Sequence, residues 1–207
     1  MIRKRNTTLS PRLQGATALA RKLGVFRARD FVGGGYPREY LRRLVARAEV
    51  NQIGRGLYTS AGFQGDEHQT MVEAAQRVPS GVVCLLSALR YHKIGTQSPG
   101  EVWLALPRGK NVPRIRDLPV RLCRFSAASH KAGVEEHHLS GGAVRIYSPA
   151  KTIADCFKFR HKIGLDVCVE ALGDCLRQRR ATLPELSRFA AVCRVARVLQ
   201  PYLEAMA

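Results

Sequence analysis

The chain has 207 residues, room for one large or two small domains, and 45% of them are hydrophobic, enough to build a packed core. Its 34 Lys and Arg against 16 Asp and Glu leave a formal charge of +18, which points to a polyanionic partner, nucleic acid ahead of an anionic membrane surface. A bilayer-spanning segment is excluded as an expectation, because the most apolar run, Val82–Leu89, is too short and is followed by Arg90.

The charge is uneven. Residues 1–60 hold 13 basic and 3 acidic side chains, a net of +10, whereas the longer remainder holds 21 and 13, a net of +8. Residues 1–8 read as a basic arm with a frayed tail as the default, and no apolar stretch follows them to make a secretory signal. Leu13, Ala16, Leu19, Ala20 and Leu23 then form a helical stripe closed by Gly24. Ala28–Val32 is a second, short helix anchored by Phe31, and Gly33, Gly34 and Gly35 break it. Pro37 opens a third helix, Pro37–Ala48, with Leu41, Leu44, Val45 and Ala48 on its apolar face and Arg38, Arg42, Arg43 and Arg47 largely on the others. Val50–Ile53 and Leu57–Tyr58 flank Gly54-Arg55-Gly56, the pattern of a tight hairpin. Helix, glycine turn, arginine-faced helix and basic-tipped hairpin predict a winged helix-turn-helix over residues 1–60.

Residues 59–66 are small and polar and mark a boundary, so 61–207 is expected to form a second, mixed α/β domain ending in helices, and the whole an α+β protein. In that part the pattern predicts helices over Glu67–Val78 and Val82–His92. Strands follow at Glu101–Leu106, Val120–Phe125, Val134–Leu139 and Val144–Tyr147, two or more of which pair as hairpins. Ser148-Pro149 caps a further helix with Ala150, Ile153, Ala154 and Phe157 buried and Lys151, Asp155 and Lys158 on its polar side. Helices are expected over Leu165–Arg179, Pro184–Val192 and Val195–Met206, the second started by a capping box from Thr182 to Glu185.

Chemistry-bearing patterns are few. Cys84, Cys123, Cys156, Cys168, Cys175 and Cys193 form no CxxC pair and are expected as buried reduced thiols, with no metal site, no cofactor and a cytoplasmic location. Glu135-Glu136-His137-His138 lies on a short strand or loop whose alternate side chains point to opposite faces, so it reads as an exposed polar strand end. There is no Gly-rich phosphate loop, HExxH or GxSxG, and an enzyme is not expected.

Two pieces resemble the AbiE-type antitoxins, the AbiEi family of repressors from bacterial type IV toxin–antitoxin and abortive-infection (phage-defence) systems. One is YPREYLRRLVARAEVNQIGRGLY, Tyr36–Tyr58. The other is RIYSPAKTIADCFKFRHKIGLDVCVEALGDCLR, Arg145–Arg177, similar to the family's strand, Ser/Asp-Pro-Ala-Lys/Arg-Thr helix and following helix. With the Val82–His92 helix the similarity runs from about Leu13 to Leu199, although the C-terminal part is more compact than in larger members. The resemblance implies an N-terminal domain that binds inverted repeats of double-stranded DNA in its own promoter. It also implies a C-terminal domain that counters a nucleotidyltransferase toxin, with or without touching it. The chain is expected to be monomeric in solution and to bind the repeats cooperatively.

For DNA, Arg38, Glu39 and Arg42 are expected near base edges, Tyr40, Arg43 and Arg47 at phosphates or flanking the helix, and Arg55 at a phosphate or in the minor groove. For the partner, Lys151, Asp155 and Lys158, with Arg108 and Lys110 of the basic loop Arg108–Arg116, are candidates for a contact surface; for Lys151 and Asp155 the i,i+4 spacing also fits a local ion pair. A regulator with no toxin, its C-terminal domain sensing a ligand or mediating assembly, is the alternative.

Overall fold

In the computed structural model, residues 10–63, 67–111, 115 and 118–206 are described. The basic arm at 1–8 and Arg114 and Arg116 of the basic loop lie outside them. The chain divides into two compact units. The first ends at Arg77 and takes in the turn His138–Ala143, and the second holds the rest from Val78 onward.

The first unit runs α1 (Pro11–Leu23), β1 (Val25–Arg27), α2 (Ala28–Gly33), α3 (Arg38–Ala46), β2 (Val50–Gly54), β3 (Leu57–Ser60) and α4 (Gln69–Arg77). It therefore extends past the boundary expected at residue 60. Leu13, Ala16 and Ala20 of α1, Phe31 of α2, and Leu41 and Leu44 of α3 meet in one core with Phe26 and Val50. The i, i+3, i+4 apolar spacing read from the sequence thus turns inward on each helix. Strand β1, too short to announce itself, pairs antiparallel with β3, and β3 pairs antiparallel with β2, giving the order β1-β3-β2. α3 is shorter than expected at both ends. Pro37 is its N-cap, Arg47 its C-cap, and Ala48 turns to a positive φ of 54°.

The second unit is built on a mixed five-stranded sheet ordered β6-β5-β4-β8-β7. In chain order it holds β4 (Val82–Val83), α5 (Leu85–His92), β5 (Val102–Pro107), β6 (Val120–Phe125), α6 (Ala127–Lys131), β7 (Val134–Leu139) and β8 (Gly142–Tyr147). Then come α7 (Pro149–Lys158), α8 (Arg160–Ile163), α9 (Leu165–Arg177), α10 (Leu183–Cys193) and α11 (Ala196–Met206). The molecule is thus α+β, with helices, one antiparallel sheet and one mixed sheet. No helix among the described residues is long and apolar enough to cross a membrane.

Three expectations change here. Val82 and Val83 are not the start of a helix. They form the central strand, antiparallel to Leu104–Ala105 and parallel to Ile146, and the helix begins only at Leu85. A short apolar run has no periodicity to tell a buried strand from a buried helix. Strands β5 and β6 pair in parallel, Val102 opposite Val120 through Pro107 opposite Phe125, so the hairpin pairing expected among these strands falls to β7 and β8, consecutive neighbours in the sheet. β5, paired along both edges by β4 and β6, is buried on both faces from Val102 to Leu106. The third change concerns α7, which packs against α5, α9 and α10. It is buried from Ala150 through Phe157, Lys151 and Asp155 included, so its expected polar side does not reach solvent.

The capping signals hold. Ser148 caps α7, and at α10 the Glu185 carboxylate accepts from Thr182 N–H at 2.8 Å while Glu185 N–H donates to Thr182 Oγ1 at 3.4 Å. All six cysteines are free and buried.

Candidate nucleic-acid interface

The turn between α2 and α3 sets the geometry of the first unit. Gly35 has φ of 91°, a backbone state that side-chain-bearing residues rarely adopt, and a Cβ on Gly34 would lie 2.4 Å from Leu19 Cδ2. The two glycines let α3 leave α2 sharply while the turn stays pressed on α1. The aromatic rings of Phe26, Phe31, Tyr36 and Tyr40 follow one another at centroid spacings of 5.8–6.0 Å, and tie α3 to β1 and α2.

With Leu41 and Leu44 buried, Arg38, Glu39, Arg42, Arg43 and Arg47 are exposed and Tyr40 is half-buried. These side chains do not have equal freedom. Arg43 is ion-paired with Glu39 and lies 5.6 Å from the Tyr40 ring centroid, with Arg12 also 5.9 Å from that ring. Arg47 Nε lies 2.9 Å from Glu49 Oε1, and the other oxygen of Glu49 accepts from Thr17 Oγ1 at 2.7 Å. The Thr17 hydroxyl, then Arg47, hold the Glu49 carboxyl below its usual range. Arg38, Arg42 and Arg55 pair with no carboxylate among the described residues.

A cleft of about 400 Å³ separates α3 from the hairpin. Arg38 and Arg42 line it on one side, Gln52, Gly56 and Tyr58 on the other, with Leu41 and Val45 among its apolar lining. Arg55 is exposed in the two-residue turn between β2 and β3, where Gly56 takes φ of 68°. The hairpin is braced from below. Arg77 of α4 donates Nη2 to the Ile53 carbonyl at 2.7 Å and to Glu73 at 2.5 Å, and Arg27 Nε donates to the Gln76 carbonyl at 2.9 Å. Sequence reading missed Gln52 and this brace. Neither carried a local signal: strand alternation puts Gln52 on the face of the buried Val50, and Arg77 targets a backbone carbonyl 24 residues away.

In the second unit the candidates fall apart. Lys151 Nζ lies 2.5 Å from Asp155 Oδ2 with both side chains essentially inaccessible, 0% and 1% exposed, so neither belongs to a contact surface. The local i,i+4 pair is what the chain forms. Lys151 Nζ also sits 4.1 Å from the Tyr147 ring centroid, and Cys193 Sγ donates to Asp155 Oδ1 at 3.2 Å. Burial pushes the Asp155 carboxyl up to about 6 in spite of Lys151, and pushes the Cys193 thiol up to about 12. Lys158, Arg108 and Lys110 remain exposed. Glu135, Glu136 and His138 are exposed on β7, His137 is paired with Glu135 at 3.2 Å, and no cluster of metal-ligating side chains occurs among the described residues.

A glycine-turned helix pair, an arginine-faced second helix and a basic-tipped hairpin thus lie together in the first unit. Residues 16–61 match the family model described as "Transcriptional regulator, AbiEi antitoxin", which bears out the resemblance carried by Tyr36–Tyr58. Among solved structures, the crystal structure of RV2827C protein from Mycobacterium tuberculosis aligns with 94% of this chain and 78% of its own. The TM-score is 0.60 and the identity 15%, a likeness of fold. No curated protein matches the chain.

Proposed function

We propose that the first unit is a winged helix-turn-helix and that the protein represses its own promoter by laying α3 in the major groove of an inverted-repeat operator. The observation that carries this reading is the pair Arg38 and Arg42. Both are exposed one helical turn apart, free of carboxylates among the described residues, and aimed into the cleft beside the hairpin. Arginine pairs bidentately with guanine, and Glu39 between them accepts from cytosine N4 once Arg43 swings to a phosphate. Tyr40 and Arg47 flank the helix, and Arg55 at the hairpin tip reaches the neighbouring phosphate or minor groove. The second unit serves as the antitoxin half, countering a nucleotidyltransferase toxin in the cytoplasm, without catalysis of its own.

Gel-shift titration of the full chain on its upstream DNA tests the reading. Arg38→Ala with Arg42→Ala should cost about 1–3 kcal/mol for each bidentate arginine–guanine pairing removed and relax base preference there. An unchanged footprint and affinity would assign recognition to another element. Co-expression of the full chain with a neighbouring nucleotidyltransferase tests the second half. Rescue of growth supports the antitoxin role; repression of the promoter without rescue identifies a stand-alone regulator.

A further inference from the structure

The second unit contains a cleft of about 340 Å³ that neither reading above uses. Its walls come from separate elements. Arg108 follows β5, Arg124 belongs to β6, Lys158 ends α7, and Arg194 caps α10 in a left-handed conformation with φ of 59°. These four cations face one carboxylate, Asp155, and that carboxylate is already held by the buried Lys151. Arg108, Lys158 and Arg194 pair with no acid among the described residues. Arg124 is fixed by donating Nη1 to the Lys110 carbonyl at 2.5 Å. Uncompensated positive charge converging on a concavity is a field for an anion, and guanidinium groups match phosphate oxygens in both charge and geometry.

The position of the cleft supports the same conclusion independently. β5 and β6 are a parallel pair in the sheet, and Pro107 and Phe125 are their last residues. The cleft residues Arg108, Arg124, Phe125 and Ser126 therefore stand at the carboxyl ends of two parallel strands, where open α/β sheets hold ligands. Phe159, half-buried on the wall, stacks on Phe125 at 5.1 Å between centroids and has the exposed Lys162 ammonium 5.7 Å from its own centroid, so a heterocycle packs on this ring by displacing that lysine. The volume is at the small end of ligand pockets and suits a mononucleotide rather than a dinucleotide.

We propose that this cleft binds a small phosphorylated ligand, a nucleoside phosphate, with Arg108, Arg124, Lys158 and Arg194 neutralising the phosphates and Phe159 carrying the base. Calorimetric titration of the full chain at near-physiological salt tests this with nucleoside mono-, di- and triphosphates, pyrophosphate and the uncharged nucleoside. Saturable one-to-one binding of a nucleotide is expected, tighter than pyrophosphate, with none of the nucleoside. Lys158→Gln and Arg108→Gln should each weaken it at least about tenfold, the size of one charge-assisted hydrogen bond. Arg197→Gln, exposed on α11 and outside the cleft, should leave it unchanged, as should Arg38→Ala with Arg42→Ala. That last arm separates this site from the DNA face, so either proposal can fail alone. Absence of saturation, equal weakening in Arg197→Gln, weakening in the α3 variant, or affinity for pyrophosphate equal to that for the nucleotide would overturn the proposal.

Discussion

Helices α3 and α7 carry the same short-range pattern and live in opposite environments. Each is about the same length, 9 and 10 residues, each follows a proline-marked start, and each holds an acid and a base four residues apart. In α3 the pair is Glu39 and Arg43, whose side chains are 64% and 57% exposed. In α7 it is Lys151 and Asp155, shut away from water beneath α10, with the ammonium near two aromatic rings. Spacing along a helix fixes which side chains meet. It says nothing of whether water reaches them, and water decides what the meeting is worth.

The largest effect should come from splitting the buried pair. Asp155→Ala leaves the Lys151 ammonium without its counter-ion in the core and should cost about 3–5 kcal/mol in urea unfolding. Lys151→Met with Asp155→Leu, removing both charges together, should lose far less. If the single and double variants unfold alike, the pair does not act as a unit.

The same double variant exposes the pH response. Burial raises the Asp155 pKa from 3.8 to about 6, so the folded chain holds this proton more tightly than the unfolded chain. Its stabilising contribution is full below about pH 4 and is lost as pH rises through about 6. Measured against the double variant, which cannot titrate there, the native protein should lose relative stability between about pH 4 and about pH 7; a flat difference would contradict the assignment.

On α3 and its hairpin the expected effects are smaller and appear in binding before stability. Arg55→Ala at the hairpin tip should weaken DNA binding by under about 1 kcal/mol across sequences and reduce the salt slope by about one charge. Glu39→Gln should shift unfolding by only about 0.3–0.5 kcal/mol, the value of an exposed i,i+4 pair. A loss of stability near that of Asp155→Ala would mean the two helices are less different than their exposure says.

This contrast also marks what was legible in the sequence. The three helices and hairpin that open the first unit, the Leu41 and Leu44 face, the glycine turn, the Ser148 cap and the Thr182–Glu185 box were readable because each is a local signal, decided within a few residues. The burial of Lys151 was not, since it depends on α10, a later helix, packing over α7. Nor were the strand identity of Val82–Val83 and the parallel alignment of β5 with β6, which only partners distant in the chain settle. The basic loop was visible as charge. That Arg108 joins Arg124, Lys158 and Arg194 at one cleft needed the fold to bring four elements together.

The bonds from α4 bear on how the protein can be dissected. A chain cut after Ser60 would contain every residue proposed to contact DNA and still lack Arg77 and Gln76, leaving the Ile53 carbonyl and the Arg27 guanidinium without their mates. Its hairpin should exchange amide hydrogens faster than in a chain carried through Arg77, and its hold on an operator should loosen though every side chain of the proposed interface is still in place. Helix α4 would then serve as a splint, keeping the proposed reading surface stiff from outside it.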